Sequence, residues 1–276
     1  MPPDKEKNAY FLGTDAIEFE RLKNQAQIWK PFSDKLYDSL GSMEGKRVLE
    51  IGCGPGFSTV DLAKRVGSEG EVCGIDKSQM YLQFLENESH QLRFSNIKTQ
   101  KRDLNTIELE KEQWDFIVSR WVHIFVQEYK RLVSQEVKAL KKGGKLVFQE
   151  YFHFGGISLS PECKSFERFA KAVMDFYLSN GGYTDRGKEL PTLILAHPSM
   201  KILSIESVYQ TALPNTPLWK WFEQFSFQFG PAFVSQGLLK EKERVSFERD
   251  WKNWSEMPGA FFTIPPLLHI VAEKAV

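Results

Sequence analysis

VLEIGCGPGFSTVDLAKRVG, residues 48–67, sets Gly52, Gly54 and Gly56 at alternate positions between an aliphatic run and a stretch with helical spacing. Read with Arg47, "RVLEI" is a buried strand, and the glycines follow its carboxyl end, where open α/β sheets bind their ligands. Glycines there let the chain turn tightly and present bare backbone to a ligand. The spacing is GxGxG. A dinucleotide loop of the GxGxxG kind would need glycine at position 57, where Phe57 stands, and Pro55 stiffens the turn. A phosphate loop would need lysine followed by serine or threonine after the last glycine, and neither is present. Glu50 lies two residues before the first glycine, so a carboxylate sits where a pyrophosphate would be repelled and a cation welcomed. The next strand, "EVCGID", ends in Asp76, about 20 residues past the last glycine, the spacing at which an acidic side chain accepts ribose hydroxyls. A ligand with a ribose and no phosphates fits this pattern.

Working outward, "IKTQKR", "WDFIVSR" and "GKLVFQEYF" continue the β-branched runs, alternating with helical stretches at 58–66, at 78–90 behind the N-cap Ser78, and at 127–140. This alternation predicts five strands within 46–152 in a parallel sheet wrapped by helices. Beyond it, 161–180 predicts an inserted helix, 189–213 a further helix and strand, 217–233 an aromatic-rich insertion, 241–254 a helix and 260–275 a last strand. Pro265 and Pro266 place the start of that strand at a sheet edge or bulge. Residues 15–40 carry helical spacing in two pieces, with a break or kink expected at Pro31. The expected fold class is therefore α/β: a Rossmann-like seven-stranded, mostly parallel sheet with helices on both faces. An N-terminal helical cover (1–45) precedes the core (46–276), which carries lid insertions at about 155–185 and 213–257.

The 36 basic and 36 acidic residues cancel, so no overall field draws in a polyanion, and nucleic acid is not an expected partner. Three cysteines without a CxxC pair offer neither a disulfide framework nor a zinc site. The start, "MPPDKEKNAYFLG", lacks the apolar core of a secretory signal, and no stretch approaches the roughly 20 apolar residues of a membrane span. A cytoplasmic protein with no membrane association is expected.

These residues resemble the class I S-adenosylmethionine-dependent methyltransferases of small-molecule type, whose first motif is an acidic residue followed by xGxGxG. "LEIGCGPG" matches that motif, "GID" the ribose-binding acid, and "WDFIVSRWVH" with "ALKKGGKLVFQE" the fourth and fifth strands; Lys142 replaces the usual proline of the turn. The resemblance spans most of the chain. It implies S-adenosyl-L-methionine as cofactor. Gly52, Gly54 and Gly56 would pack near the methionine and ribose, Glu50 would hold the ammonium end indirectly, and Asp76 would hold the ribose. Lys77, Ser78 and Met80 would flank the adenine, with Asp103 and Leu104 contacting it. Ser119 and Arg120 would face cofactor and acceptor after the fourth strand. "YFLG" at 10–13 and "RLKNQAQIW" at 21–29 look like the family's covering segment, making Tyr10 and Gln25 cofactor contacts, with Arg21 beside them.

His123, four residues after Ser119, is the candidate general base, because an ordinary imidazole titrates near neutrality; the competing reading is a packed core histidine. Glu150 and Tyr151, ending the fifth strand, face either the acceptor or the interior. The stripe from Trp219 to Phe233 is cap core with some members on a bulky acceptor. The expected function is methyl transfer to a small apolar or aromatic metabolite. Its alternatives are methylation of nucleic acid or protein, or non-catalytic binding of the same cofactor.

Overall fold

The computed structural model describes residues 12–276. Asp15 accepts the N–H groups of Ile17 and Glu18 and so caps α1 (Ala16–Asp38). There follow β1 (Arg47–Ile51), α2 (Phe57–Val66), β2 (Glu71–Asp76), α3 (Gln79–Gln91), β3 (Ile97–Lys101), β4 (Trp114–Arg120), α4 (Tyr129–Ala139) and β5 (Leu140–Tyr151). Then come β6 (Ser158–Ser160), α5 (Lys164–Ser179), α6 (Leu190–Leu195), β7 (Met200–Val208), β8 (Thr211–Ala212), α7 (Pro217–Ser235), α8 (Glu241–Glu256), β9 (Phe261–Thr263) and β10 (Leu267–Lys274).

Seven strands form one sheet in the order β3-β2-β1-β4-β5-β10-β7. The pairs among β1 to β5 are parallel, and β10 runs antiparallel to both its neighbours. This is the expected Rossmann-like, mostly parallel sheet. The chain leaves β1 first for β2 and β3 and later returns on its other side with β4. The strand order therefore reverses at β1 and β4, which opens a crevice at their carboxyl ends. Val48, Ile51, Val72, Ile117 and Phe148 are fully buried, as strands covered on both faces require.

Two expectations are corrected. Pro31 neither breaks nor divides α1, which runs through it. Pro31 is exposed, and so is Gln27, whose carbonyl loses its helical donor. The prolines at 265 and 266 do not mark an edge either. They precede β10 and lie outside its ladder, while β10 itself sits between β5 and β7. Among the described residues no helix is long and apolar enough to cross a membrane.

A second apolar cluster stands over the crevice. It is built by α5, α7 and α8 with a three-stranded sheet in the order β6-β9-β8. Phe169 stacks on Phe247 at 4.0 Å and Trp219 lies 4.3 Å from Trp251. The two buried indoles keep their donors satisfied, Trp219 by Ser255 Oγ (3.0 Å) and Trp251 by Glu223 Oε2 (2.9 Å). α1 joins this cluster through Trp29, 5.5 Å from Trp221.

Gly56 shows how tightly the loop after β1 is specified. Its φ is +84°, and an added Cβ would lie 2.3 Å from Leu85 Cδ1, on a fully buried side chain of α3. Gly56→Ala combines a left-handed penalty with overpacking, so a loss of roughly 2–4 kcal/mol is expected in urea unfolding. A change within experimental error would show that the loop packs differently.

Candidate functional site

The crevice deepens into a cavity of about 210 Å³ between the carboxyl ends of the central strands and the helices above them. Of the residues singled out in the sequence, Gln25, Glu50, Gly52, Gly54, Asp76, Lys77, Asp103, Leu104 and Arg120 line it together. They come from α1, from the ends of β1, β2 and β4, and from the segment after β3.

Glu50, the penultimate residue of β1, is 3 % exposed. Burial pushes its carboxyl up to about 7, against the opposing effects of the Thr59 hydroxyl, which donates to Oε2 at 2.5 Å, and of the Arg120 guanidinium. A carboxylate this costly to ionise gains from a neighbouring cation. Asp76 closes the loop from the other strand: Oδ2 accepts the Gly54 N–H at 2.9 Å and Oδ1 the Ser78 N–H at 2.8 Å. Burial raises it as well, opposed by those two amides. The backbone of Gly54 is left-handed, with no atom within 4 Å of where a Cβ would stand, so that face of the loop opens into free space. At Gly52 the opposite holds: a Cβ would come within 2.5 Å of Val122 Cγ2, which fixes the loop against the turn after β4.

Asp103 is held by Asn105, whose N–H and Nδ2 donate to Oδ1 at 2.9 and 3.1 Å. Asn105 Oδ1 in turn accepts the N–H groups of Gln127 and Glu128 at the start of α4. The sequence reading missed Asn105, although Asp-x-Asn is the local signal of such a turn. It also missed Thr59, the partner of Glu50.

The roof is aromatic. Trp121, Tyr151, Phe154, Tyr177, Trp221, Phe222 and Phe225 line the cavity, while Trp219 and Phe233 of the same stripe are wholly interior. On α1, Glu18 takes two hydrogen bonds from Arg21, at 2.6 and 2.7 Å, and one from Gln228 on α7 at 3.1 Å. Gln25 Oε1 accepts from Arg21 at 2.8 Å and from Trp221 Nε1 at 3.0 Å. Arg21 also lies 5.8 Å from the Phe225 ring centroid. Burial pushes the hydroxyls of Tyr151 and Tyr177 well above their ordinary range, so both are neutral.

Four sequence candidates stand elsewhere among the described residues, and Tyr10 lies outside them. Gly56 caps α2 behind the cavity, Met80 points to solvent at 51 % exposure, and Ser119 is buried beneath the wall. His123, the candidate base, stands apart from the cavity. It is 0 % exposed and absent from the cavity wall, with Nε2 3.3 Å from Glu136 Oε2 and Nδ1 3.5 Å from Glu150 Oε1. Burial opposes its charge, yet the two carboxylates outweigh that and push it up to about 10. An imidazolium has no lone pair with which to take a proton. Glu150 likewise faces inward, whereas Tyr151 reaches the cavity.

Residues 42–176 match the family described as a methyltransferase domain. A demethylmenaquinone methyltransferase of Staphylococcus aureus (strain MRSA252) is 28% identical over 138 residues, covering 48% of this chain and 55% of that protein. An aklanonic acid methyltransferase of Streptomyces sp. (strain C5) is 27% identical over 122 residues, covering 44% and 56%. The chain thus spans little more than half the length of these curated relatives. Among solved structures, geranyl diphosphate C-methyltransferase from Streptomyces coelicolor A3(2) superposes with a TM-score of 0.60 at 15% identity, over 99% of this chain and 88% of that one. The matched residues 42–176 contain Glu50, Gly52, Gly54, Asp76, Asp103 and Arg120, and the seven-stranded sheet around them has the same fold as the solved enzyme. Residues 42–176 thus match the methyltransferase-domain model, and the sheet that holds them has the Rossmann-like fold of the solved methyltransferase.

Proposed function

We propose that this protein transfers a methyl group from S-adenosyl-L-methionine to a small apolar or aromatic acceptor. One observation carries the reading: a single cavity joins two carboxylates, the buried Glu50 and the half-buried Asp76, around an open glycine backbone, to a roof of aromatic side chains. The floor suits a cationic, phosphate-free nucleoside. The roof suits an apolar partner for it. When bound, the cofactor supplies a methyl group on a sulfonium, whose transfer to an in-line nucleophile returns the bonding pair to sulfur.

The roles of the chain follow from where each group stands. Asp76 accepts from the ribose hydroxyls, while Lys77, Asp103 and Leu104 border the adenine. The backbone of Gly52 and Gly54 borders the methionine portion, with Glu50 offering negative charge toward its ammonium. Gln25 spans α1 and α7 and closes the roof over both ligands. Among the described residues, the ionisable groups lining the roof are Arg21, Tyr151 and Tyr177, a cation and two neutral phenols. With no carboxylate or neutral imidazole among them, the roof positions the acceptor and excludes water, and the acceptor brings its own nucleophilic electron pair. Small-molecule acceptors are named for the relatives, and the aromatic lining of the roof supports an acceptor of that kind.

Ligand-dependent melting tests the reading. S-adenosylhomocysteine at a hundred times its Kd should stabilise the native protein by about 2.7 kcal/mol and raise Tm by several degrees, and NAD should leave Tm unchanged. A shift with NAD and none with S-adenosylhomocysteine would reverse the assignment.

A further inference from the structure

The catalytic reading leaves over a buried polar cluster behind the cavity wall. His123, Glu136 and Glu150 are each 0 % exposed and come from the turn after β4, from α4 and from β5. The imidazole meets Glu136 through Nε2 (3.3 Å) and Glu150 through Nδ1 (3.5 Å). Ser119 Oγ stands 3.2 Å from Nδ1, and the Phe148 ring packs edge-on at 4.8 Å. Glu150 Oε1 also accepts two successive backbone amides, Val122 N–H at 2.6 Å and His123 N–H at 2.8 Å.

The residue just before those amides is Trp121, with φ +53°. A bulky side chain holds that left-handed conformation only against a cost of roughly 1–3 kcal/mol, so the surroundings must impose it. Trp121 N–H donates to the Gln149 carbonyl at 2.9 Å, and its ring lines the cavity 5.4 Å from Trp29 and 6.0 Å from Tyr151. The amides tied to Glu150 anchor the two residues that follow it. Two carboxylates in an apolar interior repel each other, and one would take up a proton or turn away unless a cation separated them.

We propose that His123 is a positioning residue: bridging Glu136 and Glu150, it keeps the Glu150 carboxyl aimed at the Val122 and His123 amides, and so holds Trp121 in place on the acceptor side of the cavity. The proposal rests on the methyltransferase reading for the meaning of that side, but the bridge itself does not depend on it. The titratable groups facing His123 are Glu136 from α4 and Glu150 from β5, and Ser119 from β4 adds a hydroxyl. Burial raises the Glu136 carboxyl and the charge on His123 pulls it back. Removing the Glu136 charge therefore lowers the proton affinity of His123 and makes the bridge titratable.

Nitrogen-detected NMR of the histidine rings, with the indole and amide signals of Trp121, Val122 and His123, reads this directly. In the wild type His123 should be doubly protonated at neutral pH, with the three reporter signals constant between about pH 6 and 9. In Glu136→Gln, His123 should titrate inside that window, and the Trp121 indole and the Val122 and His123 amides should shift in step with it. If Glu136→Gln does not fold, the wild type carried to about pH 11 crosses the same ionisation. A neutral His123 in the wild type at neutral pH overturns the proposal, as does a titration of His123 that leaves Trp121 unmoved. S-adenosylhomocysteine binding is measured on the same samples and should change less than about threefold, since Asp76 and Asp103 stand apart from the bridge. A wild type that shows the NMR behaviour without binding this ligand would sink the methyltransferase reading and leave the bridge standing.

Discussion

Glu50→Gln is expected to make the ligand-free protein more stable and the ligand-bound protein harder to form. Burial raises the Glu50 carboxyl from its ordinary 4.5 to about 7. A carboxylic acid whose folded value lies above its unfolded one destabilises the fold in its ionised form. The penalty is absent below about 4.5, grows as pH rises toward 7, and is constant above it. The interval corresponds to about 3 kcal/mol at the alkaline end. Glutamine keeps an oxygen for the Thr59 hydroxyl, which donates to Glu50 at 2.5 Å, and removes the buried charge. A gain of roughly 1–2 kcal/mol should survive above pH 8, raising Tm by about 2–8 °C, and should vanish near pH 4.5. On the proposed reading, the same change removes the negative charge offered to the cationic end of the ligand. S-adenosylhomocysteine should then bind at least tenfold more weakly at pH 8, and its wild-type affinity should fall as pH drops through 7, because Glu50 must lose a proton on binding. Equal Tm values for the two proteins at pH 8, or an affinity independent of pH, would remove Glu50 from the ligand-facing role.

The parts of this molecule that were legible in sequence are those specified by neighbours close along the chain. "RVLEI", "EVCGID" and "WDFIVSR" were read within a residue of β1, β2 and β4, because short apolar runs bounded by glycines or capping residues carry their own boundaries. Glu50, Gly54 and Asp76 converge for the same reason: each sits at or just past a strand end, and parallel strands deliver their ends to one side of the sheet. The failures are long-range. Pro31 was read as a break or kink because its missing donor is a local fact, while the continuity of α1 through it depends on its surroundings. His123 was open to two readings, a base or a packed core histidine, because its burial against Glu136, 13 residues away, and Glu150, 27 residues away, is a tertiary fact. The roof divides in the same way. Its helical spacing marked the stripe as apolar, but only packing against α1 decides that Trp221 and Phe225 reach the cavity while Trp219 and Phe233 do not.

Asp76→Ala is the substitution with the largest expected effect on binding. Its carboxylate serves two tasks at once. It ties the glycine loop to β2 through the Gly54 and Ser78 amides, and it presents acceptor capacity to the cavity. Two hydrogen bonds to a charged acceptor are worth roughly 1.5–3 kcal/mol each, so losing both ribose contacts should weaken S-adenosylhomocysteine roughly 10²- to 10⁴-fold. The weakening by itself does not separate the two tasks, since a slackened loop would also bind poorly. A ligand without the 2′-hydroxyl separates them. If Asp76 holds the ribose, the wild type should lose affinity for the 2′-deoxy compound while Asp76→Ala, which has no carboxylate to miss the hydroxyl, should bind both compounds equally. The coupling in that cycle isolates the contact from the loop. A cycle with no coupling, in which protein and ligand changes simply add, would confine Asp76 to the loop and leave the ribose to another residue of the same floor.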